Sequence, residues 1–136
     1  MTEQQDVRSA TILIIEDDPA AVDTFKQLLT AGGYRVLAAP NAESGLAEIE
    51  RARPAALLLD LRLPITDGLE VLRRLRASPR HADIPVAIMT GDYLLDEDIA
   101  RELEALGAHI HFKPLWEDDL LQIARDLIGD RNTVAD

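Results

Sequence analysis

The sequence predicts a single α/β domain in which a parallel β-sheet is covered by helices on both faces. Five short apolar runs alternate with five longer amphipathic segments along the chain, and this alternation is typical of βαβ units with right-handed crossovers. The apolar runs are continuously aliphatic, as are strands buried on both faces of a parallel sheet. A length of 136 residues suits one hydrophobic core.

Turn and cap residues mark where each predicted element begins and ends. Asp18 and Pro19 suit the N-cap and first position of a helix, and Gly32-Gly33 suits its end. The predicted strands are residues 11–15, 34–38, 55–59, 85–89 and 109–112. The predicted helices run from Pro19 to about Thr30, from the Asn41 cap to Pro54, from Thr66-Asp67-Gly68 to Ser78-Pro79, from about Leu95 to Leu106, and from about Glu117 to Ile128.

Composition excludes several classes of function. The net charge of −11 and the pI near 4.6 argue against nonspecific binding to nucleic acid and against binding to an anionic membrane surface. The chain has no Cys, which fits a reducing compartment. It has no signal-peptide pattern and no apolar run of membrane-spanning length. We therefore expect a cytoplasmic domain over residues 11–128, with a disordered tail at 1–10 and a C-terminal tail at 129–136.

Chemically active side chains follow four of the five predicted strands. Glu16 and Asp17 follow the first strand, Asp60 the third, Thr90-Gly91 the fourth and Lys113-Pro114 the fifth. The carboxyl ends of parallel strands share one edge of a sheet, where ligands bind in open α/β folds. These residues are therefore expected to share one pocket.

The charges of that pocket predict a bound dication and a reaction with an anion. Three carboxylates and one lysine carry a formal charge of −2, and like charges at ~4–6 Å resist joint ionisation. Mg²⁺ would neutralise them, since it takes carboxylate oxygens and retains water ligands. A carboxylate nucleophile, a cation, an ammonium group and a hydroxyl suit phosphoryl transfer. Asp60 is thus a candidate phosphoacceptor, and Gly91 leaves room beside Thr90.

The motifs at the strand ends resemble those of the receiver domain of bacterial two-component response regulators, the CheY-like family. The similarity spans about Thr11 to Ile128, and its four motifs occur in the family's order. They are Ile14-Ile15-Glu16-Asp17-Asp18-Pro19, Leu58-Leu59-Asp60-Leu61-Arg62-Leu63-Pro64-Ile65-Thr66-Asp67-Gly68, Met89-Thr90-Gly91 and Phe112-Lys113-Pro114. The resemblance implies the flavodoxin-like (βα)5 fold with strand order 2-1-3-4-5.

The resemblance also implies a role for each residue of the pocket. Asp60 would accept the phosphoryl group, while Thr90 and Lys113 would bind its oxygens. The metal ligands would be Asp17, Asp60, Glu16 through water, and the backbone carbonyl of Arg62. The bond before Pro114 would be cis. The phosphoryl donor would be a histidine kinase or a histidine phosphotransfer protein, and a downstream protein would dock on the face formed by the fourth helix, fifth strand and fifth helix. We expect a stand-alone signalling protein rather than an enzyme.

One position departs from the family pattern. Ile110 lies three residues before Lys113, where the family usually has an aromatic residue that turns inward on phosphorylation. It has no ring to move, so the resemblance does not imply the family's usual coupling between Thr90 and this position. His109 and His111 should face the opposite side of the strand, and we expect both to be packing residues rather than metal ligands.

Other positions leave alternatives open. Arg62 and Asp92 lie two residues after Asp60 and Thr90, and they either pair across the mouth of the site and slow hydrolysis or remain solvated separately. Trp116 either packs half-buried over the start of the last helix or anchors a partner. Tyr93 is interpreted as a loop packing residue. Arg73, Arg74 and Arg76 are expected on the solvated face of the third helix.

Three other functions have less support in these residues. A pseudo-receiver, which keeps the fold but has lost the switch, is favoured only by Ile110. An aspartyl-phosphate hydrolase generally needs an acid two residues after the nucleophile, and Arg62 occupies that position. A flavin-binding module needs a phosphate-binding loop after the first strand, where this chain has acidic residues instead.

Overall fold

A computed structural model describes residues 10–129. Five parallel strands form one sheet in the order β2-β1-β3-β4-β5, which confirms the predicted flavodoxin-like fold. The strands are β1 (Thr11–Ile15), β2 (Arg35–Ala39), β3 (Ala56–Asp60), β4 (Val86–Thr90) and β5 (His109–Phe112). The helices are α1 (Pro19–Ala31), α2 (Ala42–Ala52), α3 (Gly68–Ala77), α4 (Glu97–Ala105) and α5 (Glu117–Ala124).

Strand register brings the catalytic candidates to one edge of the sheet. Ile15 is paired with both Ala39 and Leu59, so β1 and β3 end at the same level. Asp60 pairs with Met89, and Thr90 pairs with Phe112. Asp60 and Thr90 are the last residues of their strands, one position beyond the predicted strand ends. Ladder hydrogen bonds therefore fix the backbone of both residues.

Side chains alternate along the strands to form two separate apolar layers. Leu13, Leu57, Leu59 and Ile88 pack on one face with residues of α2, α3 and α4. Ile12, Ile14, Leu58 and Met89 pack on the other face with residues of α1 and α5. Both faces of β1, β3 and β4 are buried, and this explains why their sequences are continuously apolar.

Carboxylate and amide side chains cap four helices at their N-termini. The side-chain oxygens of Asp18, Asn41, Asp67 and Asp96 each accept a hydrogen bond from a backbone N–H of the first helical turn. These bonds satisfy amide groups that have no partner within the helix. The cap at Asp96 makes α4 begin at Glu97, two residues after the predicted start at Leu95.

The last helix differs from the prediction of one α-helix to Ile128. It is α-helical only to Ala124 and continues as a π-helical turn from Arg125 to Gly129. The wider turn changes which side chains face the sheet, and both Leu127 and Ile128 are buried there.

Arg76 contradicts the expected solvated face of α3. Its guanidinium is partly buried and donates hydrogen bonds to the backbone carbonyls of Leu106, Ala82 and Ile84 at 2.6–2.9 Å. Arg73 and Arg74 are exposed, as predicted. Arg76 thus joins α3 to the ends of two loops, a role that helical periodicity alone does not reveal.

The ends of the chain lie largely outside the described residues. Within the part that the structure describes, no helix is both long and apolar enough to cross a membrane. The tails expected at 1–10 and 129–136 fall outside that part except for Ala10 and Gly129. The carbonyl of Ala10 accepts a hydrogen bond from the backbone N–H of Arg35 at 3.0 Å.

Candidate functional site

Three carboxylates meet at the carboxyl edge of the sheet, as the sequence predicts. Oxygens from Glu16, Asp17 and Asp60 all lie within 4.8 Å of one another. Glu16 and Asp60 are only 2% and 5% exposed, whereas Asp17 is exposed. The cluster therefore has a buried floor and one carboxylate at its opening.

Lys113 reaches the same cluster from the end of β5. Its Nζ lies 2.7 Å from Oε1 of Glu16 and 3.4 Å from Oδ2 of Asp60. Its backbone N–H donates to the carbonyl of Thr90 at 2.8 Å. A buried carboxylate without a partner is strongly unfavourable, so this ammonium group compensates the burial of Glu16 and Asp60.

Burial and the contact between Glu16 and Lys113 shift the pKa of both groups. Burial raises the pKa of Glu16 and outweighs the opposing hydrogen bond from Lys113. Burial acts to lower the pKa of Lys113, but its hydrogen bond to Glu16 and the nearby charge of Asp60 outweigh burial, and the pKa is raised. Lys113 is therefore a cation at neutral pH. One ammonium group does not neutralise three carboxylates, and a net negative charge remains in the pocket.

The donor set suits a hard dication. All three acidic residues offer oxygen ligands close together, which is the chemistry that Mg²⁺ prefers, and the exposed Asp17 leaves access for water ligands. Arg62 follows Asp60, and its N–H donates to Oδ1 of Asp60 at 3.1 Å. This bond orients the carboxylate from the same loop in which the resemblance implies the Arg62 carbonyl as a further metal ligand.

Two glycines shape the surroundings of Asp60 and Thr90 in different ways. A Cβ at Gly68 would lie 2.5 Å from the carbonyl oxygen of Asp60 and 2.9 Å from Cα of Leu61. The start of α3 therefore packs directly on the backbone of β3, a constraint that the sequence analysis missed. Gly91 has no atom within 4 Å of an added Cβ, which agrees with the predicted open space beside Thr90.

Arg62 and Asp92 form the ion pair that the sequence analysis considered. Nη2 of Arg62 lies 2.7 Å from Oδ2 of Asp92, and both groups are at least partly exposed. The Arg62 guanidinium lowers the pKa of Asp92. The backbone N–H of Asp92 also donates to Oγ1 of the fully buried Thr90 at 3.1 Å. The pair thus joins the loops that follow β3 and β4.

Tyr93 links the loop after β4 to the end of β5. Its hydroxyl donates a hydrogen bond to the carbonyl oxygen of Lys113, and its ring stacks on Phe112 with a centroid distance of 5.7 Å. From the sequence alone, Tyr93 is interpreted only as a packing residue, and Phe112 is not singled out. Spacing could not have identified this contact, because Tyr93 lies in the loop after β4 whereas Phe112 ends β5.

The remaining residues of β5 and the segment after it are placed as follows. Ile110 packs in the layer with α3 and α4, while His109 and His111 face α5 beside Ile123, as period-two alternation predicts. Trp116 is 69% exposed, which rules out the half-buried alternative. The peptide bond before Pro114 is cis, as the resemblance implies.

Comparison with known proteins identifies the family. The model of the response regulator receiver domain matches residues 12–125, and the chain therefore belongs to the receiver domain family of two-component systems. Receiver domains are signalling proteins that interact with histidine kinases or phosphotransfer proteins.

Individual relatives differ in length. The response regulator MprA of Mycobacterium ulcerans is 34% identical over 120 residues, which cover 88% of this chain and 50% of MprA. The chain thus spans about half the length of that relative. A 14.6 kDa protein from the sodA1 3′ region of Leptolyngbya boryana is also 34% identical, over 89% of this chain and 92% of its own.

One solved structure of a similar domain contains magnesium. The receiver domain of the sensor histidine kinase PA1611 from Pseudomonas aeruginosa PAO1 matches with a TM-score of 0.79 and 28% identity, covering 89% of this chain and 98% of that one. That structure contains a magnesium ion coordinated in its active-site cleft.

Proposed function

We propose that this receiver domain accepts a phosphoryl group on Asp60 from a histidine kinase or a histidine phosphotransfer protein in the cytoplasm. The observation that supports this proposal best is a buried Asp60 carboxylate held between Lys113 and two further acids. Such a charge distribution is unfavourable alone and becomes favourable with a dication and an incoming anion. We therefore assign Asp60 as the nucleophile.

The chemistry follows from the groups around Asp60. An oxygen of Asp60 attacks the phosphorus atom of phosphohistidine, the P–N bond breaks, and the histidine nitrogen leaves with the bonding electrons. Lys113 and Thr90 stabilise charge on the transferred oxygens, while the N–H of Arg62 orients the carboxylate. Water later cleaves the acyl phosphate and releases inorganic phosphate. These roles are those of a phosphoacceptor with positioning groups.

Mg²⁺ is the proposed cofactor. Asp17 and Asp60 would bind it directly, Glu16 through water, and the backbone carbonyl of Arg62 would complete the protein ligands. When bound, it would neutralise negative charge on the carboxylates and on the phosphoryl oxygens. The oxygen donors within 4.8 Å and the magnesium ion in the related PA1611 domain support this assignment.

Signalling would occur through the face formed by α4, β5 and α5. Phosphorylation changes the local charge and shifts the population of conformations, and a downstream protein that binds one conformation reads the signal. The relative from Leptolyngbya boryana, matched over 92% of its length, supports the proposal of a stand-alone receiver. We propose no nucleic-acid or membrane partner for this acidic domain.

A pseudo-receiver remains the second candidate, and Ile110 is the observation that favours it. Ile110 packs against the apolar layer and has no ring or hydroxyl to change position. The two functions differ in one measurable property, because a pseudo-receiver would bind partners without accepting a phosphoryl group.

Mass spectrometry tests the proposal directly. Acetyl phosphate or phosphoramidate with Mg²⁺ should add the mass of one phosphoryl group to the protein, and the product should be labile in base. Asp60→Asn should abolish the addition, whereas Asp118→Asn, the same chemical change at an exposed position on α5, should not. A parent protein that gains no phosphoryl group from small donors or from histidine kinases would refute the proposal.

A further inference from the structure

Both polar atoms of the Lys113 backbone are held by the segment that ends β4. The N–H of Lys113 donates to the carbonyl of Thr90 at 2.8 Å. The carbonyl oxygen of Lys113 accepts a hydrogen bond from the hydroxyl of Tyr93, three residues further along the same segment. The Lys113 backbone is therefore held at its N–H by the ladder between β4 and β5 and at its carbonyl by the Tyr93 side chain.

Core packing does not explain the position of Tyr93. The residue is 64% exposed, so burial contributes little to its placement. Within the described part of the chain, its specific contacts are the stacking on Phe112 and the hydrogen bond to Lys113. Aromatic stacking orients the ring, and the hydroxyl then reaches the carbonyl of the residue that follows Phe112.

The restraint on the Lys113 backbone matters because its side chain is flexible and its Nζ has to contact two carboxylates at once. Its Nζ lies at the end of a four-carbon stem and contacts both Glu16 at 2.7 Å and Asp60 at 3.4 Å. Fixing the backbone at the base of the stem narrows the positions that Nζ can reach. Transfer to a positioned group is sensitive to such small displacements.

We propose that Tyr93 is a positioning residue for phosphoryl transfer, which acts by holding the Lys113 carbonyl and thereby directing Nζ toward Asp60. This inference rests on the proposed function. Tyr93 itself does not contact Asp60 in the described contacts; its effect passes through Lys113. Removal of the hydroxyl should therefore change the rate of transfer without changing the residues that bind the metal.

Tyr93→Phe keeps the ring and deletes only the hydroxyl. We expect the maximal rate of phosphorylation by phosphoramidate to fall by about two- to tenfold, as for loss of one neutral hydrogen bond, while the half-saturating Mg²⁺ concentration stays unchanged. Tyr34→Phe, the same deletion at the other tyrosine of the chain, should leave both quantities unchanged. An unchanged maximal rate in Tyr93→Phe would overturn the inference, and so would a shifted Mg²⁺ requirement accompanied by lower stability in urea.

A measurement without phosphorylation tests the contact itself. The sequence contains two lysines, Lys26 and Lys113, so lysine labelled with ¹³C at the carbonyl gives two NMR signals. Tyr93→Phe should move the Lys113 carbonyl signal and leave that of Lys26 in place; an unmoved Lys113 signal would show that the hydrogen bond is absent in solution and overturn the inference. If the parent protein accepts no phosphoryl group, the proposed function fails. If the parent accepts a phosphoryl group and Tyr93→Phe is phosphorylated at the same maximal rate, only the proposed role of Tyr93 fails.

Discussion

Replacement of Asp60 by asparagine should stabilise the folded protein in the absence of Mg²⁺ and reduce its stabilisation by Mg²⁺. The side chain is nearly isosteric, and its Oδ1 can still accept the hydrogen bond from the N–H of Arg62. Lys113 retains its closer partner, Glu16, at 2.7 Å. The substitution therefore removes a buried negative charge and its ionic contact with Lys113 Nζ at 3.4 Å, while the hydrogen bond from Arg62 and the contact between Lys113 and Glu16 remain.

The magnitude follows from the charges around Asp60. At an effective dielectric constant of about 20, an unscreened like charge within 4.8 Å repels Asp60 by at least ~3.5 kcal/mol, and Lys113 at 3.4 Å attracts it by ~5 kcal/mol. Asp17 is exposed, so solvent and salt screen its charge and its repulsion adds little. The repulsion from Glu16 and the attraction to Lys113 then nearly cancel. What remains is desolvation, which costs several kcal/mol for a buried carboxylate and ~1–3 kcal/mol for an amide. We expect a gain of about 2 kcal/mol in the free energy of unfolding.

Urea unfolding with EDTA and with Mg²⁺ measures both effects. A metal at ten times its Kd stabilises the parent by about 1.4 kcal/mol, whereas Asp60→Asn lacks one charged ligand and should gain much less. The difference between the two proteins should therefore narrow when Mg²⁺ is added. Asp118→Asn serves as the control for the chemical change alone. The electrostatic argument would be refuted if Asp60→Asn were less stable than the parent in EDTA, or if Mg²⁺ raised its free energy of unfolding as much as that of the parent.

Two further predictions concern the rim and the floor of the pocket. Arg62→Ala and Asp92→Ala should each change the rate at which the phosphorylated protein loses its phosphoryl group. Because the two side chains are paired, the rate change in the double variant should differ from the product of the two single rate changes. Strictly additive effects on the logarithm of the rate would exclude coupling. Burial raises the pKa of Glu16 above 4.5, so the folded state binds this proton more tightly than the unfolded state. The stabilisation from this bound proton, in EDTA, should be complete below about pH 4.5 and decrease as pH rises through the raised pKa. The free energy of unfolding of the parent and of Glu16→Gln, measured as a function of pH, tests this. Parallel pH dependences of the two proteins across this range would contradict the assignment.

The fold and the members of the site could be predicted because both depend on local patterns. Continuous apolar runs such as residues 57–59 identify buried strands, and parallel alternation places every strand end at one edge of the sheet. The positions of Asp60, Thr90 and Lys113 then follow from topology alone. Helix starts were also predictable where Asp or Asn precedes the first turn, since a cap needs only residues close in sequence.

Contacts between loops could not be predicted in the same way. The alternatives for Arg62 and Asp92 stayed open because 30 residues separate them. Arg76 was assigned to the solvated face, since periodicity does not show that three backbone carbonyls lie within its reach. The contact of Tyr93 with Lys113 was missed for the same reason. Each of these contacts depends on how loops and helix or strand ends that are distant in sequence approach one another in the folded domain.

The sequence by itself determined the parallel sheet, its apolar layers and the set of acidic and basic residues at its carboxyl edge. Only the tertiary structure decided that Glu16 is the closer partner of Lys113, that Gly68 packs directly on the backbone of β3, and that Trp116 is exposed. Secondary structure repeats with a fixed period, so a pattern of residues specifies it. The reach of a long side chain depends on distances between elements, and packing of the whole domain sets those distances.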